Sequence, residues 1–205
     1  MFRLTAKDLA KRFGPRRLFS ELNFELTTGD SLAVIGPNGS GKSTLILTLL
    51  GLQRPTQGRV TFVEDDDDLD DTSRRQHLAF VSPYLNLYDQ LTAEENLKFF
   101  LSVSGGRATG KQINRTLRQV GLEGRGVDPV AEFSSGMKQR LKYALALLSK
   151  PAYLFLDEPT SSLDRDGKNV VFELVEQLRT ECILVVATNE EEEYRLATEQ
   201  CRLGQ

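Results

Sequence analysis

The chain is poor in the residues that build metal centres and disulfide frameworks. Histidine occurs once, at His77, and cysteine twice, at Cys182 and Cys201. A single histidine behind an acidic run makes no metal site and reads as part of a solvated loop. Two cysteines form no framework, and Cys182, at the head of an apolar run, reads as a small buried hydrophobe. Such usage fits a reducing compartment. No apolar run approaches the roughly 18 residues of a membrane span, and the N-terminal stretch MFRLTAKDLAKRF lacks the apolar centre of a signal peptide. Positive charge is not in excess either: 26 Lys and Arg against 29 Asp and Glu give a net charge of −3. No basic field therefore argues for a nucleic-acid partner. A length of 205 residues suits one large α/β domain, or one domain with a subdomain.

Against these absences stands a glycine-rich run, Gly36-Pro37-Asn38-Gly39-Ser40-Gly41-Lys42-Ser43-Thr44. It satisfies the pattern G-x-x-x-x-G-K-[ST] at Gly36, Gly41, Lys42 and Ser43. Ser31 to Ile35 before it reads as a short buried strand. Leu45, Ile46, Leu49 and Leu50 after it fall at helical spacing, and Gly51 supplies a stop. A strand, this loop and a helix in sequence make a phosphate cradle: backbone N–H groups turn toward the anion, and the helix N-terminus adds partial positive charge. Lys42 would reach the β- and γ-phosphates, and the Ser43 hydroxyl would ligate Mg²⁺.

The remaining pattern is α/β. Strands are expected at Phe2–Ala6, Leu22–Leu26, 58–63 and Leu78–Ser82, with a turn at Gly29-Asp30. Residues 64 to 71 hold seven acidic side chains in eight positions, which repel and read as a solvated loop tip rather than a metal site. From about 91 the character turns helical. Thr92 with Glu95 forms a capping box, residues 102–110 read as a small-residue loop, and Ile113, Leu117 and Val120 mark a second helix ended by Gly121. A third helix is expected over about 136–149. Residues 152–157 (AYLFLD) are nearly continuous apolar, as in a parallel strand covered on both faces. A helix around Val170–Leu178 and a strand at Ile183–Ala187 follow. The fold expected is α/β: a phosphate-loop core with a parallel sheet, an N-terminal antiparallel β-subdomain and a helical insertion. Residues 1–82 and 150–205 would form the core with its β-subdomain, and 83–149 the insertion, within a single domain over 1–205.

Two further motifs carry chemistry. The strand ending in Asp157-Glu158 places two carboxylates at a strand's carboxyl end, where ligands of open α/β sheets bind. Asp157 can hold Mg²⁺, and Glu158 can orient or deprotonate an attacking water. A bare helix N-cap is the other reading of such a pair. Phe133-Ser134-Ser135-Gly136-Met137-Lys138-Gln139-Arg140 precedes an apolar helix, with a serine as cap and a glycine for close approach.

With these motifs in order, the chain resembles the ATP-binding cassette (ABC) ATPases over essentially its whole length. The family signature Leu-Ser-Gly-Gly-Gln appears as Phe-Ser-Ser-Gly-Met, followed by Asp157-Glu158-Pro159-Thr160 and Ser161-Ser162-Leu163-Asp164. The resemblance implies ATP hydrolysis with Mg²⁺ by two cassettes paired head to tail. Ser134, Ser135 and Gly136 of one copy would contact the γ-phosphate held by the other, and Ser162, Leu163 and Asp164 would cross the interface. Phe13 matches the aromatic that stacks on adenine; a place in the core is its alternative. A separate integral membrane permease is the implied partner, docked on 83–97 and the helical insertion. That would put the chain in the cytoplasm, peripheral on the inner face of the membrane. Leu85, Leu87, Leu91, Leu97, Phe99 and Phe100 would serve that surface or the core. In length and brief C-terminus the chain is similar to the haem-exporter cassette of cytochrome c biogenesis, and export is expected over import.

Two positions depart from the family. Pro83 stands where a glutamine normally contacts Mg²⁺, unless Tyr84 or Asn86 replaces it. Asn189 stands where a histidine is usual, and its amide can donate to a phosphate but cannot shuttle a proton. Hydrolysis is expected to persist through Glu158, slowed. Two other readings stand beside the transporter subunit: a regulatory cassette switched by nucleotide, and a soluble ATPase of repair or translation.

Overall fold

The computed structural model describes residues 1–204 and contains two sheets. Strands β1 (Phe2–Phe13), β2 (Arg16–Thr27), β4 (Gln57–Glu64) and β5 (Asp67–Asp68) form an antiparallel sheet in the order β2-β1-β4-β5. Strands β6 (Leu78–Val81), β7 (Tyr153–Asp157), β8 (Ile183–Thr188), β3 (Ser31–Ile35) and β9 (Glu199–Arg202) form a parallel sheet in the order β6-β7-β8-β3-β9. The helices are α1 (Lys42–Leu49), α2 (Asp71–Gln76), α3 (Ala93–Val103), α4 (Gly110–Gln119), α5 (Ser135–Ser149), α6 (Arg165–Leu178) and α7 (Glu191–Tyr194). The expected fold class is the observed one.

Every residue of β3, β7 and β8 is buried, and strand periodicity divides them between two cores. Leu154, Leu156, Leu184 and Val186 face the helical side, with α3 to α6. Tyr153, Phe155, Ile183, Val185 and Ala187 face α1 and the antiparallel sheet. A nearly continuous apolar run, polar only at its ends, is what two covered faces require. Helix starts are set locally. Thr92 and Thr109 each close a full capping box, while Asp70, Ser134 and Asp164 cap α2, α5 and α6.

Several expectations shift. The first two strands run to twelve residues each, because β1 pairs on both edges through register breaks that the apolar pattern does not reveal. The acidic run is solvated but not one loop: Asp65 and Asp66 make the turn, Asp67 and Asp68 pair back on β4, and Asp70 caps α2. His77 is no solvated loop residue. It caps the C-terminus of α2, half-buried, with its ring 5.1 Å from that of Phe2. Among the described residues, no helix is long and apolar enough to cross a membrane and no His/Cys/Asp/Glu group could hold a metal ion by itself. Cys182 is buried, and burial pushes its thiol up to about 12.

The sheets are tied at Tyr153. Its hydroxyl, on a fully buried ring, bonds the carbonyls of Arg3 (3.2 Å) and Val63 (2.9 Å), a pair facing each other across β1 and β4. Tyr153→Phe should lower unfolding free energy by about 1–2 kcal/mol, since it leaves buried carbonyls short of a donor. Urea denaturation measures it, and an unchanged midpoint would show that the tie carries no stability.

Candidate functional site

The phosphate loop lies between β3 and α1, at the carboxyl edge of the parallel sheet. Gly36 must be glycine. Its φ is +152°, and a Cβ would stand 2.5 Å from the Leu203 carbonyl oxygen and 2.8 Å from Ser40 Oγ. Pro37, Asn38 and Gly39 form the exposed tip; Ser40, Gly41, Ser43 and Thr44 are half-buried. Gly41 occupies the N-cap of α1 with no side-chain cap, and no acidic residue sits in the first turn. The helix therefore presents unpaired N–H groups and the positive end of its dipole to the loop. Lys42 is only 6 % exposed, and its ammonium donates to the carbonyls of Gly36 (2.9 Å) and Pro37 (3.2 Å). Arg16 braces the tip from β2 by donating to the Gly39 carbonyl at 2.8 Å. Nothing in the motif pattern points to Arg16, which is twenty residues upstream of Gly36.

Asp157 ends β7 and is 2 % exposed. Its carboxyl is held above the usual carboxylate range by burial, with neighbouring Glu158 adding to the shift; the Ser43 hydroxyl bond and Lys42 oppose it. Its Oδ1 is buried with no hydrogen-bond partner. Such an atom is costly to leave unpaired. A spare carboxylate oxygen beside the Ser43 hydroxyl is a donor set that suits Mg²⁺, a hard cation taking oxygen ligands. Ser43 and Asp157 thus fit the ion together.

Glu158 follows at φ +48°, left-handed for a non-glycine residue, with its N–H bonded to Ala187 on β8. It lines a cavity of about 280 Å³ together with Ser162 and Asn189. Asn189 is exposed just past β8. Phe13 is 50 % exposed at the end of β1, so the core reading is wrong for it, and Lys11 covers one face of its ring at 4.9 Å.

Ser134 and Ser135 are exposed at the start of α5, and Ser134 Oγ accepts from the Met137 N–H. A Cβ on Gly136 would stand 3.2 Å from the Ser162 carbonyl oxygen. The bonding and packing partners of Ser134 and Gly136 lie on α5 and the turn 160–163, not on residues 36–44. One chain therefore does not bring the two halves of the expected site together.

The departure at Pro83 has a structural counterpart. Tyr84 and Asn86 both face solvent. The segment is held instead by α5: Lys142, 6 % exposed, donates to the carbonyls of Ser82 (2.8 Å) and Pro83 (3.3 Å), and Lys138 pairs with Asp89 at 2.6 Å. Burial lowers the Lys142 ammonium pKa. Four-residue spacing puts both lysines on one helix face, which is the signal by which sequence could have found them. Of the apolar residues assigned jointly to a surface or the core, Leu97 is core, whereas Phe99 is 41 % exposed.

The ABC transporter family profile matches residues 19–161. The linearmycin resistance ATP-binding protein LnrL of Bacillus subtilis is 34 % identical over 91 % of this chain and 60 % of its own length. The cytochrome c biogenesis ATP-binding export protein CcmA of Histophilus somni is 30 % identical over 98 % of this chain and 93 % of its own. The Escherichia coli protein named Probable multidrug ABC transporter ATP-binding protein YbhF is 39 % identical, but the match spans only 28 % of it. Among solved structures, the ATP-binding cassette MJ0796, a dimer in a post-hydrolysis state bound to ADP and Pi, superposes with a TM-score of 0.84. It is 28 % identical, over 98 % of this chain and 94 % of that one.

The raised pKa of Asp157 means that its ionised form opposes folding. The fold is favoured below the unfolded-state pKa, and the penalty grows as pH rises through the unfolded and then the folded value, persisting at neutrality. Asp157→Asn should therefore raise the urea midpoint at pH 7 without nucleotide or Mg²⁺. That gain should shrink toward zero below about pH 3.5, where both states are protonated. A lowered midpoint at pH 7 would contradict the burial argument.

Proposed function

For this chain, which belongs to the ABC transporter ATP-binding family, we propose the role of ATP-hydrolysing subunit of a transporter, working through a separate membrane permease. The observation that carries the reading is the unpartnered, buried Asp157 oxygen at the uncapped N-terminus of α1, with Glu158 one residue on. In this reading, amides of residues 37–44 and the Lys42 ammonium hold the triphosphate, with Lys42 exchanging its loop carbonyls for phosphate oxygens. Ser43 and Asp157 would hold Mg²⁺, which when bound would supply positive charge to offset that of the phosphates. Glu158 accepts a proton from, or orients, the attacking water. Asn189 donates a hydrogen bond toward the γ-phosphate, and Phe13 offers its open face to adenine.

Completion requires a second cassette. Ser134 and Ser135 sit exposed, with Gly136 half-buried beside them, at an N-terminus that attracts anions, and they would close over the phosphate of the partner copy. A twofold homodimer is the simplest pairing, and the dimeric cassette bound to ADP and Pi supports it. We assign 83–149 to a helical insertion within a core of 1–82 and 150–205. The permease would dock on the insertion's exposed rings: Tyr84 is 77 % exposed, and Tyr88 lies edge-on to Phe99 at 5.0 Å. Such a complex lies on the cytoplasmic face of the membrane. Export is favoured because several relatives carry export in their names, Nod factor and cytochrome c biogenesis among them. Their variety leaves the cargo to the permease. Nucleic acid has no place in this reading.

Purified protein should turn over Mg-ATP, and Glu158→Gln should lower kcat by at least about 100-fold while keeping ATP affinity. The same variant should sediment as a dimer with ATP and as a monomer with ADP. Turnover that survives the substitution would remove Glu158 from the reaction. No single-turnover hydrolysis in the native protein would favour the nucleotide-switched reading, to which Pro83 and Asn189 lend support. For docking, Tyr84→Glu should abolish co-purification of an integral membrane protein without changing ATPase activity. Undiminished co-purification would place the permease elsewhere.

A further inference from the structure

The last helix carries a carboxylate that the reading above does not use. Glu193 on α7 is 1 % exposed, although Glu190, Glu191 and Glu192 before it are exposed. Glutamate is almost never fully buried without partners. Among the described residues none offers it a cation within ion-pair distance; its side-chain hydrogen bonds come from Thr160. Oε1 accepts from the Thr160 N–H at 3.0 Å and from the Thr160 hydroxyl, and Oε2 is buried with no hydrogen-bond partner. The carboxyl is held above the usual glutamate range, chiefly by burial, against these hydrogen bonds.

Thr160 belongs to the turn that carries Glu158 at one end and Ser162 near the other. Both are non-glycine residues at left-handed φ, +48° and +64°. Such conformations persist only where the surroundings over-determine them. One restraint comes from α5, where Gln139 Nε2 (3.2 Å) and the buried Tyr143 hydroxyl (3.0 Å) donate to the Pro159 carbonyl. The second restraint is Glu193, which takes both donors of the very next residue. The turn is thus pinned at consecutive positions from two different helices, and Glu158 and Glu193 line the same cavity.

We propose that Glu193 is a positioning residue for hydrolysis: by holding Thr160 it keeps the 158–163 turn in the conformation that aims Glu158 and presents Ser162. The assignment rests on the ATPase reading above. In this assignment Glu193 acts through Thr160 rather than on phosphate or water, so an uncharged acceptor does the same work. The geometry therefore predicts an unusual split between two substitutions. Glu193→Gln retains a carbonyl oxygen for both Thr160 donors and should keep kcat within twofold. Glu193→Ala removes the acceptor and should lower kcat at least tenfold, with KM for ATP and the affinity for a fluorescent ATP analogue within twofold. Thr160→Val, which removes one of the two donors, should lower kcat in the same direction, and adding Glu193→Ala to it should cost less than the two single effects multiplied. Should the alanine variant fail to fold, Thr160→Val and Glu193→Gln together still decide the matter.

Equal losses in the glutamine and alanine variants, a kcat unchanged in the alanine and valine variants, or an affinity falling in step with kcat would overturn the assignment. Hydrogen exchange at the amides of 158–163 separates this from failure of the ATPase reading. If the native protein proves inactive, faster exchange there in Glu193→Ala than in Glu193→Gln still supports the restraint, and equal exchange removes it.

Discussion

A lysine ammonium and an aspartate carboxyl are both buried at the carboxyl edge of one parallel sheet, and the rest of the molecule is arranged around the cost of putting them there. Burying ionisable groups is unfavourable unless partners compensate. Lys42 is compensated by carbonyls of its own loop. Asp157 is compensated only in part, by Ser43 and by the proximity of Lys42, and it retains an orphan oxygen. An anion for the first and a cation for the second relieve both strains at once. That is the physical reason a magnesium–triphosphate complex suits this edge better than either component alone. The apolar strands β3, β7 and β8 make the edge rigid enough to hold such a pair in place.

Around that edge, α5 has several duties. Its N-terminus displays Ser134 and Ser135 to solvent. Its next turns hold the segment at 82–89 through Lys138 and Lys142, and Gln139 and Tyr143 grip the Pro159 carbonyl. A shift of this one helix would be felt at the 82–89 segment, at Ser134 and Ser135 and at the turn behind Glu158. The missing glutamine at Pro83 is thereby set in a different light. The 82–83 backbone is still connected to the site, through a buried lysine on the signature helix rather than through a side chain on the metal.

Much of this was legible in the residues themselves. The phosphate loop, the capping box at Thr92, the doubly covered strand ending in Asp157 and the break at Gly121 are local signals, and the structure places each near its expected position. What sequence could not supply depends on contacts between distant segments. The edge strand β9 has no apolar alternation, and exists because β3 offers it a free ladder. His77 looked solvated because its neighbours are polar, yet Phe2, seventy-five positions away, covers it. Arg16 and Glu193 carry no motif, and their roles emerge only when the chain brings each to a carbonyl or a threonine far along the sequence. The cross-copy completion expected of Ser134 to Gly136 likewise lies beyond a single chain.

The central claim is that the Lys42 ammonium, now bonded to loop carbonyls, is the principal grip on the triphosphate. Calorimetric titration of Mg-ATP into the native protein and into Lys42→Ala tests it most directly. Loss of a charged hydrogen-bonding group should weaken binding by about 10- to 100-fold. Equal affinity in the two proteins would contradict the account.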